Sequence, residues 1–105
     1  MGLYNLDFEE KIITILHTIY DPEIPIDIYD LGLIYNVDVD DKKFATITMT
    51  LTNPGCPVID SLLNEVQTKV QDIEGITGAT VNLVFEPAWN PDMMSDAAKL
   101  ELDML

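Results

Sequence analysis

The sequence is poor in cysteine, histidine and basic residues, and it has no long hydrophobic run. Cys56 is the only cysteine among 105 residues, so no internal disulfide can form and a disulfide-stapled secreted scaffold is not expected. No apolar stretch approaches the ~20 residues needed to cross a bilayer, and the N-terminus lacks the basic and apolar regions of a signal peptide. We therefore expect a cytoplasmic protein with a reduced thiol and no membrane partner.

The charge of the chain is strongly one-sided. The chain contains nineteen acidic residues, five lysines and no arginine, which gives a formal net charge of −14 at pH 7. Such a charge repels nucleic-acid phosphates within the Debye length of about 8 Å at physiological salt. Direct nucleic-acid binding is therefore not expected, and the acidity is explained by solubility or by attraction to a basic partner.

The hydrophobic periodicity near the start of the chain predicts a helix from about Phe8 to Thr18. Apolar residues recur there at helical spacing, and Asp7 with Glu10 fits a capping box. His17, the only histidine, lies opposite the centre of the apolar stripe and is expected to face solvent. The prolines that follow predict an ordered loop rather than a continued helix.

Period-two and helical patterns alternate along the rest of the chain. Strands are expected over residues 33–40, 45–51 and 79–85, the first two as a hairpin. Between the second and third strands, a helix is expected to open at Pro57 and to stop at Gly75. A right-handed strand–helix–strand connection makes these two strands parallel.

The last helix is expected to begin with Asn90 as its cap and Pro91 as its first residue. Trp89, just before it, is expected to be a packing anchor rather than an interaction surface. The order α-β-β-α-β-α predicts an α/β fold, specifically an α+β two-layer sandwich with a small three-stranded mixed sheet. Residues 1–105 are expected to form a single domain, since 48% hydrophobic content suffices for one core.

Cys56 is the strongest candidate for chemistry because it lies where a strand ends and a helix begins. Unpaired backbone N–H groups and the helix dipole favour a thiolate at such a position, and the alternative is a buried cysteine acting as a small hydrophobic residue. Asp21 and Glu23 flank a proline. They are candidates for oxygen ligands of a metal ion or for a pair that transfers protons, and the alternative is an ordinary role in the turn. Thr52 could hydrogen-bond a ligand or cap the loop.

Five segments of the chain occur in an order shared with a known family: Asp21-Pro22-Glu23, Asp30-Leu31-Gly32-Leu33-Ile34-Tyr35, Thr48-Met49-Thr50-Leu51-Thr52, Pro54-Gly55-Cys56-Pro57 and Trp89-Asn90-Pro91-Asp92-Met93-Met94-Ser95. Together they resemble the SufT-like, PaaD-like iron–sulfur cluster assembly factors over nearly the whole chain. The resemblance implies an accessory factor for iron–sulfur protein maturation, in bacteria often beside the SUF machinery. It singles out Cys56 as the reactive or metal-ligating thiol, with Asp21, Glu23 and Thr52 around the same pocket. Asn53 and Ala88 depart from the family pattern and affect the shape of that pocket.

The number of thiolates limits what the chain could hold. Iron–sulfur clusters usually take about four protein ligands, mostly thiolates, whereas this chain supplies Cys56 alone. Any cluster is therefore expected to be transient and to bridge two chains, or this chain and a partner, with no permanent cofactor. The expected partners are the iron–sulfur assembly machinery, client apo-proteins and, in a homodimer, a second copy of the chain.

Two other functions stay open from the sequence. A cysteine-dependent hydrolase or thiol-transfer enzyme would use Cys56 as its nucleophile, but it needs a base that a solvent-facing His17 does not supply. Related proteins also serve as accessory subunits of a phenylacetyl-coenzyme A oxygenase, so an interaction subunit of an oxygenase complex is the other alternative. The primary expectation is an accessory factor and not an enzyme.

Overall fold

The computed structural model of the protein describes residues 2–21, 24–52 and 59–103. The elements follow the predicted order with one short 3-10 helix added: α1 Gly2–Leu16, β1 Ile34–Val39, β2 Phe44–Met49, α2 Ile59–Gln71, β3 Gly78–Leu83, a 3-10 helix Pro91–Met93 and α3 Asp96–Asp103. The predicted α+β class is confirmed. Within the described ranges, none of the helices is both long enough and apolar enough to span a membrane.

The three strands form one mixed sheet in the order β1-β2-β3. β1 and β2 are antiparallel, with Val37 opposite Ile47, and β2 and β3 are parallel, with Ile47 opposite Val81. The predicted hairpin and the predicted parallel pair are both confirmed. Because β2 and β3 run in the same direction, the segments that leave their C-terminal ends start from the same edge of the sheet.

The core lies between α1, α2 and one face of the sheet. Its buried side chains follow the helical spacing on α1 and α2 and the period of two on β2. They include Ile12, Leu16, Ala45, Ile47, Met49, Leu62, Val66 and Val70. Thr46 and Thr48 alternate with the buried residues of β2 and are only partly exposed on the other face.

The first helix begins earlier than the sequence predicted. α1 starts at Gly2 rather than near Phe8, because the residues before Asp7 include no proline that would end a helix. Asp7 therefore lies inside the helix, where its carboxylate is 3.5 Å from the Lys11 ammonium one turn further on. The predicted capping box at Asp7 is wrong for this reason.

The described part of α2 ends at Gln71, before the predicted stop at Gly75. Gly75 takes the left-handed conformation, with φ of +95°, on the way into β3. The predicted opening of this helix at Pro57 lies outside the described residues.

The predicted C-terminal helix is divided into two. Pro91–Met93 forms one turn of 3-10 helix, capped by Asn90 as predicted. Met94 then takes an extended conformation, which ends that turn. Ser95 caps the separate helix α3, since its hydroxyl accepts a hydrogen bond from the backbone N–H of Ala98 at 3.1 Å. A single helix through both segments was therefore the wrong prediction.

Candidate functional site

Thr50 is a buried polar residue immediately after β2. Its backbone N–H donates to the carbonyl of Leu33 at 2.8 Å, and the residue is only 1% exposed. The Thr50 hydroxyl oxygen, in contrast, is buried and has no hydrogen-bond partner among the residues that the structure describes. Leaving a buried hydroxyl unsatisfied costs about 1–3 kcal/mol. A water or a polar ligand beside this oxygen would remove that cost.

A cavity of about 130 Å³ lies beside Thr50. Its described lining residues come from segment 50–52 and from Phe85, Ala88 and Trp89. Two threonines thus face a wall that contains two aromatic residues. A cavity of this size has room for water or for a small polar group.

Trp89 fixes the wall of the cavity. Its indole Nε1 donates to the carbonyl of Leu31 at 2.7 Å, and its ring packs partly buried against the core. Nearby, the hydroxyl of Tyr35 donates to the carbonyl of Pro87 at 2.6 Å. The predicted packing role of Trp89 is confirmed, and these two bonds hold the segment after β3 in place.

Gly32 permits the close approach of two segments that are distant in sequence. It has φ of +85°, and a Cβ added to it would overlap the backbone carbonyl of Met93. Beside this contact, the backbone N–H of Ser95 donates to the carbonyl of Asp30 at 2.8 Å. Glycine meets both the conformational and the steric requirement here. Segment 30–32 and segment 89–95 therefore pack as one unit.

Two of the four predicted site residues can be located in the structure. Thr52 lies on the wall of the cavity. Asp21 is buried, and its carboxylate accepts a hydrogen bond from the backbone N–H of Ile24 at 2.9 Å, which is the turn role considered as an alternative. It is not among the described residues that line the cavity. Cys56 and Glu23 lie outside the described residues, so their part in the site stays a prediction.

A second polar cluster consists of His17, Asp27 and Asp30, and we call it the His17 cluster. It joins the end of α1 to the loop that leads into β1. The Nδ1 atom of His17 is 3.1 Å from Oδ2 of Asp27 and 3.7 Å from Oδ2 of Asp30. Burial raises the pKa of Asp27 above its ordinary value of 3.8; the backbone N–H of Asp30 opposes this shift, and the Asp30 carboxyl adds to it.

The surroundings of His17 differ from the sequence prediction. The side chain is 39% exposed, in line with the expected solvent-facing position, but it also lies beside two carboxylates that were not predicted, and its ring centroid lies 4.8 Å from that of Tyr29. Helical periodicity describes only the helix and not the loop that folds back over its end. The signal available in the sequence was a pair of aspartates around Tyr29, shortly after a histidine at the end of the first helical pattern.

Thr50 was not predicted as a candidate site residue. Its alternation with Met49 and Leu51 assigned it to the β-branched face of the strand. Phe85 and Trp89 line the same cavity as Thr50, and they lie far along the chain from it. Burial produced by such a distant segment leaves no mark in the local pattern.

The fold and the cavity describe a small α+β protein with a candidate site at the end of a strand. The chain belongs to the iron–sulfur cluster assembly protein family, whose model matches residues 9–83. This family is the one that the sequence motifs resemble, and the predicted resemblance is confirmed.

Individual relatives agree with this family. The chain is similar to an Fe-S protein maturation auxiliary factor from Porphyromonas gingivalis, with 54% identity over 95% of each chain. It is 45% identical to the Fe-S protein maturation auxiliary factor SufT from Staphylococcus aureus, over 80% of this chain and 96% of the relative. A crystal structure of a domain of unknown function from Bacillus anthracis matches with a TM-score of 0.93 and 33% identity over 100% of both chains. The names of the first two describe auxiliary factors, in agreement with the expectation that the chain is not an enzyme.

Proposed function

We propose that this chain, as a single domain over residues 1–105, assists iron–sulfur cluster assembly or the transfer of clusters to client proteins, and that it acts through Cys56. One observation carries the proposal: Thr50, whose buried hydroxyl has no described hydrogen-bond partner, and Thr52, on the cavity wall, are followed closely in the sequence by Cys56, the only cysteine. Membership of the iron–sulfur cluster assembly protein family supports the same function.

The chemistry of the lining favours transient carriage over storage. The described cavity residues offer hydroxyl and aromatic groups, which do not replace the missing thiolates of a cluster. Cys56 therefore supplies one ligand, and a second copy or a partner protein completes the coordination. A thiolate-bound cluster is anionic, so the net charge of −14 also opposes its permanent retention.

Asp21, Glu23 and Thr52 have supporting roles in this proposal. Thr52 is on the cavity wall and can donate a hydrogen bond to cargo held at Cys56. Asp21 is buried, and its carboxylate accepts the hydrogen bond from the backbone N–H of Ile24; the part of Glu23 in the site rests on the family resemblance. The names of the relatives support iron–sulfur assembly machinery and client apo-proteins as partners. A cytoplasmic location stays a prediction from the sequence.

Anaerobic reconstitution tests the proposal. Iron and sulfide would be counted per chain for the wild type and for Cys56→Ala, together with the mass of the species that carries them. We expect a labile, substoichiometric cluster on a dimer or a mixed complex, and no cluster on Cys56→Ala. A stable cluster on a monomer would refute the bridging arrangement.

A cellular assay tests the role of the thiol in maturation. Cells that lack this chain would be supplied with the wild type, Cys56→Ala or the control Thr14→Ala, which alters an exposed residue on α1. We expect the activity of client iron–sulfur enzymes to be restored by the wild type and the control but not by Cys56→Ala. Full restoration by Cys56→Ala would contradict a function of Cys56. Thioester turnover that disappears in Cys56→Ala would favour the hydrolase instead.

A further inference from the structure

We propose that the His17 cluster is a binding site for a divalent first-row transition-metal ion, separate from Cys56. His17, Asp27 and Asp30 each offer one ligand atom, and these atoms all lie within 4.8 Å of one another. Two ligands bound about 2.0–2.2 Å from one zinc ion are roughly 3–4 Å apart. The distances of 3.1 Å and 3.7 Å from His17 Nδ1 to the two carboxylates already match that spacing.

The fold holds Asp27 in place without a metal. Its Oδ2 accepts a hydrogen bond from the backbone N–H of Asp30 at 2.9 Å, and its carbonyl accepts one from the N–H of Leu31 at 3.0 Å. Its backbone also forms a β-bridge with Tyr20, just after α1. A carboxylate fixed in this way loses little conformational entropy when an ion binds, and its Oδ2 keeps a lone pair for that ion.

The charge of the cluster favours a cation. His17 is the basic side chain that the structure places at ion-pair distance from both carboxylates. A neutral imidazole leaves two negative charges close together in a chain whose net charge is already −14. A divalent ion between the three side chains would neutralise both carboxylates and use the imidazole lone pair.

The ligand types favour a transition metal over magnesium or calcium. One imidazole nitrogen with two carboxylate oxygens suits Zn²⁺, Fe²⁺ or Mn²⁺, whereas Mg²⁺ and Ca²⁺ prefer oxygen ligands alone. The site is also accessible, since the side chains of His17 and Asp30 are 39% and 30% exposed. Three protein ligands leave at least one coordination position for water or for a group from a partner.

Calorimetric titration with Zn²⁺ tests this site. It would be done in a Cys56→Ser background, so that the thiol does not contribute, and with excess Mg²⁺ to occupy the many surface carboxylates. We expect saturable binding of one ion per chain. Because His17→Gln and Asp30→Asn each remove a ligand, each should weaken Zn²⁺ binding by more than about tenfold. The matched control Asp38→Asn removes an exposed carboxylate of β1 and should leave the affinity unchanged.

Three results would overturn the metal site. They are unchanged Zn²⁺ affinity in His17→Gln, competition by Mg²⁺ at equal concentration, and the absence of saturable binding once Cys56 is replaced. If Asp30→Asn does not fold, His17→Gln decides the question, with its metal-free melting temperature as the folding control. Loss of the Co²⁺ visible absorption in His17→Gln would give independent support for nitrogen ligation. None of these measurements depends on cluster transfer, so this site and the function proposed for Cys56 can fail separately.

Discussion

The groups buried in the apolar layer beneath the sheet differ in their need for hydrogen bonds from the group buried at the end of β2. Leu16 and Ile47 bury hydrocarbon, which needs no specific partner to be stable away from water. Thr50 is as deeply buried, but its hydroxyl has no hydrogen-bond partner in the described part of the chain. The segment beside it is held by individual hydrogen bonds from Trp89 and Tyr35. Stability is therefore concentrated in the apolar layer, while the strand end retains a costly polar group, as functional sites commonly do.

The largest expected effect comes from a leucine in the apolar layer. Leu16→Ala should lower the free energy of unfolding by about 2–5 kcal/mol, because it removes a fully buried side chain and leaves a cavity. The matched control is Leu100→Ala on α3, where the side chain is 63% exposed and the change should stay within about 0.5 kcal/mol. Urea unfolding followed by circular dichroism measures both. Equal shifts for the two leucines would contradict this assignment of the core.

An intermediate effect is expected where segment 30–32 meets segment 89–95. Gly32→Ala should destabilise the protein by up to about 3 kcal/mol, since the left-handed backbone is strained and the new Cβ meets the Met93 carbonyl. Gly75→Ala is the control: its φ is also positive, but its Cβ meets only the movable ring end of Phe8. That change should cost about 1–2 kcal/mol.

Fluorescence of Trp89, the only tryptophan, separates the two glycine variants further. Trp89 belongs to the segment that packs against Gly32, so Gly32→Ala should expose its ring to solvent and red-shift its emission. Gly75→Ala should leave the emission unchanged. Identical spectra and identical stabilities for both variants would show that the close approach at Gly32 does not matter.

The parts of the fold that follow from local pattern were predictable from the sequence. The period of two in β2 and the helical spacing of Leu62, Val66 and Val70 correctly predicted the strands, the second helix and the core. The split of the last helix was not predicted, because Ser95 competes with a continuing helix by capping a new one. Periodicity alone does not show whether one continuous helix or a new, separately capped helix forms.

The candidate site was less accessible to sequence reasoning than the fold. Thr52 was assigned to a pocket by the family resemblance; the structure places it on the wall of a cavity, and its role there stays a prediction. Thr50 and the His17 cluster were missed, because distant residues or a returning loop create their surroundings. The roles of Cys56 and Glu23 stay predictions. A residue's chemistry can be read from its type, whereas its partners depend on tertiary contacts.

The smallest and most informative change is at Thr50. Thr50→Val keeps the branched shape and removes the unpartnered hydroxyl, so it should raise the free energy of unfolding by about 1 kcal/mol. If this hydroxyl binds cargo or an ordered water at the cavity, the same variant should lower client-enzyme maturation. Higher stability together with lower activity is the expected combination for a polar group retained for function.

The sign of the stability change at Thr50 decides whether the two regions really differ. The control Thr46→Val alters a partly exposed threonine on β2 and should change stability by less than about 0.5 kcal/mol, without affecting maturation. If Thr50→Val instead destabilises the protein, the wild-type hydroxyl makes a favourable hydrogen bond in solution. The end of β2 then contains no destabilising polar group, and this difference from the apolar layer disappears. If the variant is more stable and fully active, the hydroxyl destabilises the protein without serving maturation. The result would then argue against a part for Thr50 in the function proposed for Cys56. Urea unfolding and the cellular maturation assay, applied to the same pair of variants, distinguish these outcomes.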